Sequence, residues 1–284
     1  MEIINRKQRM FSIARKLRRD SKTVAFVPTM GALHEGHLTL VREARQTADV
    51  VVVSIFVNPA QFNDKGDLDR YPRDLTADAA MLAEYDVDYV FAPEPSEVYP
   101  EGFSTYVYVE GVSDGLEGAA RPGHFRGVAT VVTILFNTVR PDKAFFGQKD
   151  AQQAAVIRRL ATDLGFETEI VTVPTVREES GLAMSSRNEL LSPDDREKAA
   201  VIFRALREAK IAFRNGARNA SELVEIARRT IETEPAALID YVSAVDAETL
   251  EPVEDIDDRE VLLSTAVFFG KVRLIDNVVI NRRQ

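Results

Sequence analysis

The sequence predicts an α/β protein in which a doubly wound, mainly parallel sheet is followed by a second, smaller α+β domain. In the first part of the chain, short β-branched or aromatic runs alternate with longer helical patterns, which is the order of a doubly wound sheet. One run, residues 49–58, is apolar on both faces, as expected inside a parallel sheet. Near Arg177 a polar, turn-rich segment begins, and helices followed by strands come after it. We therefore expect domains over residues 1–176 and 177–284.

The elements of the first domain follow from hydrophobic periodicity, taken in chain order. Strand-like runs lie at residues 23–29, 49–58, 87–93, 104–110, 143–147 and 167–176. Apolar residues at helical spacing predict helices at residues 37–48, 73–86, 126–139 and 150–165. The Arg-rich residues 5–20 could pass for a transit peptide, but an amphipathic first helix is favoured because no apolar signal core or cleavage pattern follows.

The second domain is predicted from a change in the order of the elements. Two helical stretches, residues 194–215 and 221–233, precede three strand-like runs at residues 238–246, 260–269 and 271–280. Helices followed by strands that look antiparallel indicate an α+β domain.

Composition restricts the classes of function. The chain has 284 residues, 45% of them hydrophobic and 29% charged, with a formal net charge of −9. An acidic protein is a poor candidate for binding nucleic acid or an anionic membrane, so we expect neither as a partner. The absence of cysteine excludes disulfides, thiolate metal sites and a cysteine nucleophile, and it suits a cytoplasmic location. The longest strongly apolar run, residues 50–57, is too short to cross a bilayer.

Two histidines mark the first candidate site. His34 and His37 follow the predicted strand 23–29 and open a helix, and ligands of doubly wound sheets bind at the carboxyl ends of strands. A helix N-terminus favours an anion such as phosphate, and Gly31 lets backbone approach a ligand. The histidines could instead cap and pack, or bind zinc, although zinc would need further ligands. Neither G-x-G-x-x-G nor G-x-x-x-x-G-K-[ST] occurs, so an H-x-x-H phosphate site is favoured.

Two further segments suit phosphate. Lys149 follows the strand 143–147 at the start of a helix, and Asp150 beside it could be functional or simply the N-cap. Ser185, Ser186 and Arg187 place two hydroxyls and a guanidinium in a polar turn, which suits a polyphosphate. This turn falls at the predicted domain junction, where clefts form.

Two loops offer contacts for a small substrate. Gln61 follows the apolar run 49–58 and could bind a carboxylate or hydroxyl, or merely make a loop soluble. His124 lies between Arg121 and Arg126 in a loop with glycine and proline. That composition indicates either a mobile anion-binding segment or ordinary turn chemistry.

Taken together, these segments resemble the pantothenate synthetase (pantoate–β-alanine ligase) family. The resemblance rests on the following stretches, in the family's order: VPTMGALHEGHL, VVVVSIFVNPAQF, YPRD, RPGHFRGV, FFGQKDAQQ, VPTVRE, GLAMSSRN and RLIDN. The HEGH element also resembles the wider nucleotidyltransferase superfamily that includes class I aminoacyl-tRNA synthetases. The resemblance implies a Rossmann-like first domain, a smaller C-terminal lid domain, Mg²⁺ dependence and a homodimer. It also implies that ATP and pantoate form pantoyl adenylate, from which β-alanine displaces AMP to give pantothenate.

The resemblance also carries site residues onto this sequence. The implied ATP-binding residues are Met30, Gly31, His34, His37, Gly147, Lys149, Asp150, Val176, Met184, Ser185, Ser186 and Arg187, of which His34, His37, Lys149 and Arg187 are the catalytic set. Gln61, Gln153 and Arg121 match substrate-binding positions. Asp78 matches a metal-binding acid, although Ala77 stands where some members have a second one, so ATP phosphates would hold most of the Mg²⁺. Gln148 and Ala151 also depart from the residues that are common there.

Two other functions remain open from the sequence. A nucleotidyltransferase that transfers AMP or CMP to a phosphate could use the same histidine pair. A regulatory protein could bind a nucleotide without turning it over. Product analysis separates the first from a ligase, and pyrophosphate release separates the second.

Overall fold

The computed structural model describes residues 1–63 and 65–281 and divides the chain into two compact units. The first unit contains Met1–Gly147 and Val156–Val173, and the second contains Gln148–Ala155 and Pro174–Gln284. Residues 148–155 thus group with the C-terminal part, whereas the limits 1–176 and 177–284 place them in the first domain. Those limits stay a prediction.

The first unit is built on a six-stranded parallel sheet. Its strands are β1 (Glu2–Ile4), β2 (Val24–Thr29), β3 (Val50–Ile55), β4 (Tyr89–Phe91), β5 (Lys143–Gly147) and β6 (Glu169–Val173). Their order is β1-β4-β3-β2-β5-β6, and every pairing is parallel. The chain runs outward from β2 through β3 to β4 and then returns to β5 on the other side of β2. This reversal is the doubly wound arrangement, and it confirms the predicted fold class.

Helices connect these strands. They are α1 (Lys7–Arg19), α2 (Glu35–Thr47), α3 (Lys65–Arg70), α4 (Leu75–Ala83), α5 (Pro95–Val98), α6 (Glu117–Ala120), α7 (His124–Val139) and α8 (Ala151–Asp163). The predicted amphipathic first helix is confirmed, because α1 buries Met10, Ile13 and Leu17 on one face and packs against α7. In the described part of the chain, no helix is long and apolar enough to cross a membrane.

Apolar side chains on the central strands form the core of the first unit. Val51, Val52 and Val53 on β3 are fully buried, because helices cover both faces of the sheet. Val27 on β2 and Val41 on α2 pack into one cluster with Val51 and Val53. Complete burial of a valine side chain contributes about 1.5–3 kcal/mol, so this cluster fixes the strand ends from which the site loops leave.

The prediction differs from the structure at two short segments. The strand expected at residues 104–110 is wrong, because residues 103–109 have no regular secondary structure. Tyr106 and Tyr108 are exposed there, and the N–H of Val107 donates to Thr130 Oγ1 of α7 at 3.0 Å. A helix side chain thus replaces the neighbouring strand that a ladder needs. Strand β1, which pairs with β4, was not predicted.

The second unit is the predicted α+β structure. Its helices are α9 (Pro193–Lys198), α10 (Val201–Arg214) and α11 (Ala220–Glu232), and its strands are β7 (Ala237–Asp246), β8 (Val261–Phe269) and β9 (Val272–Ile280). The strands form an antiparallel sheet in the order β7-β8-β9. Leu206 of α10, Leu223 of α11 and Leu263 of β8 meet in a common core. The expected helix 194–215 is two helices, interrupted at residues 199–200.

Candidate active site

Each of the two histidines caps helix α2 through its own Nδ1. His34 is the N-cap, and its Nδ1 accepts the N–H of Gly36 at 3.1 Å. Nδ1 of His37 accepts the N–H of His34 at 3.3 Å, and the two ring centroids are 4.1 Å apart. An imidazole nitrogen that accepts carries no hydrogen, so a neutral ring of either residue is protonated at Nε2. The donor of each neutral ring is therefore Nε2–H, and capping fixes its direction, which is compatible with phosphate binding.

Asp78 holds the loop that precedes the histidines. Its carboxylate is 4% exposed, and its oxygens accept the N–H groups of Leu33 at 2.8 Å and Ala32 at 3.1 Å. Gly31 in this loop has φ +84°, and a Cβ there would lie 2.8 Å from Asp78 Oδ2. Glycine is therefore required at this position both for its backbone conformation and for the approach of the carboxylate.

Gln61 lies in a short 3₁₀ turn after β3, and Asn58 orients its side chain. Gln61 is 8% exposed, and its Oε1 accepts from Asn58 Nδ2 at 3.0 Å. Asn58 also donates to the carbonyl of Gly127 at 3.1 Å and accepts from the Tyr99 hydroxyl at 2.7 Å. Burial raises the pKa of Tyr99, so this hydroxyl remains a donor at neutral pH. With its oxygen facing Asn58, the Gln61 amide presents nitrogen on its other side, close to Met30 Sδ.

The loop with the third histidine packs against Gln61. His124 is buried at the start of α7, and its Nδ1 donates to the carbonyl of Gln61 at 2.8 Å if the ring is protonated there. Arg121 Nη1 lies 3.5 Å from His124 Nε2, and Arg126 stacks over Tyr106 with its Cζ 3.8 Å from the ring centroid. The structure thus gives His124 and Arg126 packing roles, while anion binding by Arg121 stays a prediction.

The second unit brings several predicted phosphate-binding residues to one pocket. Lys149, Ser185 and Arg187 line it together with Asp276. Ser185 is the N-cap of a 3₁₀ turn, and its Oγ accepts the N–H of Arg187 at 3.2 Å. Other predicted residues of the second unit lie nearby in the sequence. Asp150 directly precedes α8, Gln153 is half-buried within α8, the carbonyl of Val176 accepts the N–H of Met184, and Ser186 follows Ser185. Gly147 belongs to the first unit, where it is the last residue of β5.

Asp276, which lines this pocket, forms an ion pair with Arg177. Arg177 donates from both terminal nitrogens to Asp276, with Nη2 3.0 Å from Oδ1. The same guanidinium donates to the carbonyl of Gly181 and stacks 3.9 Å from the ring centroid of Phe203. Burial raises the pKa of Asp276, while the bonds from Arg177 act in the opposite direction and favour its charged form.

The described residues do not form a ready protein site for a divalent cation. Nowhere in residues 1–63 and 65–281 do three histidine, aspartate or glutamate side chains group as metal ligands. Both oxygens of Asp78 already accept backbone N–H groups. This geometry suits an anchor better than a ligand, and the assignment of Asp78 to metal stays a prediction.

Comparisons with known proteins decide the family. A family model described as pantoate-beta-alanine ligase matches residues 2–279. The chain belongs to the pantoate–beta-alanine ligase family. It is 53% identical over 280 residues to a pantothenate synthetase of Heliobacterium modesticaldum, covering 99% of each chain.

Solved structures agree with this membership. A pantothenate synthetase from Thermus thermophilus matches with a TM-score of 0.91 and 47% identity, over 98% of this chain and 99% of that one. A pantoate-beta-alanine ligase from Francisella tularensis, solved in complex with beta-gamma ATP and beta-alanine, matches with a TM-score of 0.80 and 36% identity, over 98% and 97% of the two chains. The resemblance inferred from the sequence motifs is therefore confirmed.

In this member of the pantoate–beta-alanine ligase family, sequence reasoning missed residues that hold others in place. The sequence-based prediction gives Asn58 no role, although an asparagine before proline and three residues ahead of Gln61 is a recognisable turn signal. Asp276 and its neighbour Asn277 enter the sequence-based prediction only as part of the RLIDN motif. Two adjacent polar residues within the apolar strand β9 are the signal that could have drawn attention to them, because buried polar groups need partners.

Proposed function

We propose that this chain is an ATP-dependent ligase that condenses pantoate with β-alanine to form pantothenate, with release of AMP and pyrophosphate. The observation that carries the proposal is the histidine pair, whose Nδ1 atoms both accept backbone N–H groups at the N-terminus of α2. Family membership supplies the substrates, since relatives with these names share about half of their residues with this chain.

In the first proposed step, the carboxylate oxygen of pantoate attacks the α-phosphorus of ATP. The bond between that phosphorus and the bridging oxygen breaks, and pyrophosphate leaves. The step forms pantoyl adenylate and needs no protein nucleophile. It needs alignment of the two reactants and neutralisation of the phosphate charge, which preorganised donors provide.

In the second proposed step, the amine of β-alanine attacks the acyl carbon of the adenylate. The bond from that carbon to the AMP oxygen breaks, AMP leaves, and the nitrogen loses a proton as the amide forms. A free carboxylate would have to expel oxide, so adenylation is what makes the acyl group reactive at neutral pH.

The residues divide between these tasks. Nε2–H of His34 and of His37 would donate to phosphate oxygens, while Nδ1 of each ring keeps its capping bond. Lys149 and Arg187 would neutralise the charge of the leaving pyrophosphate, with Met30, Gly31, Gly147, Asp150, Val176, Met184, Ser185 and Ser186 completing the ATP contacts. On the Gln61 side, the amide nitrogen would donate to a hydroxyl or carboxylate oxygen of pantoate, because Asn58 occupies the amide oxygen. Gln153 and Arg121 complete the substrate contacts.

Mg²⁺, a homodimer and a cytoplasmic location belong to the proposal as well. Mg²⁺ typically binds through substrate phosphates with only one or two carboxylates, so it would arrive with ATP, whose phosphates would supply most of its ligands. No step above depends on a protein ligand for it.

The experiment that tests the proposal measures pyrophosphate release from ATP. We expect release to require pantoate, and AMP and pantothenate to appear only when β-alanine is added. Release with a phosphorylated acceptor but not with pantoate would identify a nucleotidyltransferase instead. ATP binding without release, across a panel of carboxylic acids, would identify a binding protein.

A further inference from the structure

Asn277 of β9 is hydrogen-bonded to the turn that carries Lys149. Its Nδ2 donates to the carbonyl of Gln148 at 3.0 Å and to the carbonyl of Lys149 at 2.9 Å. Its Oδ1 accepts from Gln148 Nε2 at 3.0 Å. Asn277 is 3% exposed, so these bonds are shielded from water. Both N–H groups and the oxygen of one buried amide are therefore engaged by two consecutive residues.

This arrangement fixes the backbone of a very short element. Gln148 to Asp150 form a single 3₁₀ turn, which has too few internal bonds to hold a rigid conformation by itself. Holding the carbonyls of Gln148 and Lys149, which lie on either side of the Lys149 Cα, restricts the direction in which the Lys149 side chain leaves. Because the backbone is already fixed, only the four side-chain torsions of Lys149 have to be ordered when its ammonium binds an anion. The conformational entropy lost on binding is therefore smaller.

Asp276, the residue before Asn277, holds the segment that leads to Ser185 and Arg187. Asp276 accepts two bonds from Arg177, which also donates to the carbonyl of Gly181. The chain then pairs back, with the N–H of Met184 on the carbonyl of Val176, before it reaches Ser185. Adjacent residues of one strand thus anchor the turn of Lys149 and the hairpin that leads to Ser185 and Arg187.

We propose that Asn277 is a positioning residue for Lys149, acting through the backbone of residues 148–149 without contacting the nucleotide. The inference rests on the proposed function, because it assigns Lys149 to the two phosphates of ATP that leave as pyrophosphate. Those two phosphates have left before β-alanine attacks. Asn277 is therefore needed in the first half-reaction and dispensable in the second.

The test compares Asn277→Ala, the near-isosteric Asn277→Asp, Lys149→Ala and the double variant Lys149→Ala with Asn277→Ala. Ile280→Val serves as the control, because it removes one methylene from a buried side chain of the same strand and leaves all the Asn277 bonds intact. Each protein is assayed for pyrophosphate release with ATP and pantoate, and separately for reaction of preformed pantoyl adenylate with β-alanine.

We expect either Asn277 variant to slow pyrophosphate release by about tenfold to a hundredfold, since a displacement of about 1 Å at a reacting group can cost a hundredfold. Aminolysis of the preformed adenylate should stay within about twofold of the parent and of Ile280→Val. In the Lys149→Ala background, adding Asn277→Ala should slow release by less than threefold. Equal losses in both half-reactions, or a full multiplicative loss in the double variant, would overturn the positioning role.

A second measurement separates this inference from the proposed function. Hydrogen–deuterium exchange followed by mass spectrometry reports on residues 148–152 without any substrate. We expect faster exchange there in both Asn277 variants and not in Ile280→Val, and unchanged exchange would contradict the inference. If the parent protein releases no pyrophosphate with pantoate, the proposed function fails, while the exchange result still shows whether Asn277 holds the turn.

Discussion

Replacement of Asp78 by asparagine distinguishes an anchor of the histidine loop from a ligand of Mg²⁺. The carboxylate is buried, and its two oxygens accept the N–H groups of Leu33 and Ala32 at 2.8 and 3.1 Å. Asparagine has nearly the same shape but only one oxygen. Whichever way its amide turns, an NH₂ group faces one of the two backbone N–H groups.

The magnitude follows from the bonds lost. A hydrogen bond to a charged group contributes about 1.5–3 kcal/mol, and Asp78→Asn removes one such bond and the charge from the other. We expect the free energy of unfolding to fall by about 2–4 kcal/mol. Because the loop leads directly to His34, pyrophosphate release should slow by at least tenfold. The concentration of Mg²⁺ that gives half-maximal activity should stay unchanged, since no metal ligand is lost.

The assay combines urea unfolding, followed by circular dichroism, with a Mg²⁺ titration of pyrophosphate release. Asp74→Asn is the matched control, because Asp74 is the exposed N-cap of α4 and asparagine caps helices equally well. An Asp78→Asn protein as stable as this control, with a several-fold higher Mg²⁺ requirement, would refute the anchor role and support the metal assignment.

Three further outcomes are expected. His34→Ala and His37→Ala should each slow pyrophosphate release by about 10²–10³-fold with ATP and pantoate saturating, and near-normal rates in both would contradict phosphate binding. Gln61→Ala and Gln153→Ala should raise the pantoate concentration for half-saturation by about tenfold to a hundredfold and leave that for ATP unchanged. Gly127→Ala would put a Cβ 2.3 Å from the carbonyl oxygen of Ala60, so the free energy of unfolding should fall by about 1–3 kcal/mol. The same variant should raise the pantoate concentration for half-saturation as Gln61→Ala does, and an unchanged pantoate saturation curve would contradict this.

The fold could be predicted wherever one segment carries its own burial pattern. Strands β3 and β5 are buried on both faces, and their apolar runs have nearly the observed limits. Strand β1 has three residues, too few for a periodic pattern, and it exists because β4 offers a parallel edge. Residues 104–110 fail in the opposite way: they have high β propensity, but Thr130 of a helix takes the backbone group that a ladder would use.

In the candidate site, too, only residues placed by a local pattern could be predicted. His34 and His37 could be placed at a helix start because about 25 residues of sequence predict both the strand before them and the helix after them. Asp78 lies 45 residues from Leu33, whose N–H it accepts, and Asn277 lies 128 residues from Lys149. Local patterns contain no information about contacts at such separations. Asp78 is therefore predicted only as a metal-binding acid, through the resemblance, and Asn277 has no predicted role.

These distant partners share a chemical character that has a physical cause. Loops that leave strand ends carry backbone N–H and C=O groups without ladder partners, and such groups must be satisfied where water is excluded. Asn58, Asp78 and Asn277 meet this need with short carboxylate or amide side chains, which lose little rotamer entropy when they are fixed. Each is at most 4% exposed, and each forms a hydrogen bond to backbone of a loop or turn that carries a proposed ligand-binding residue. A buried Asp or Asn in an otherwise apolar segment of this family is therefore better interpreted first as the support of a loop, and as a ligand only when its polar atoms are not already engaged by backbone.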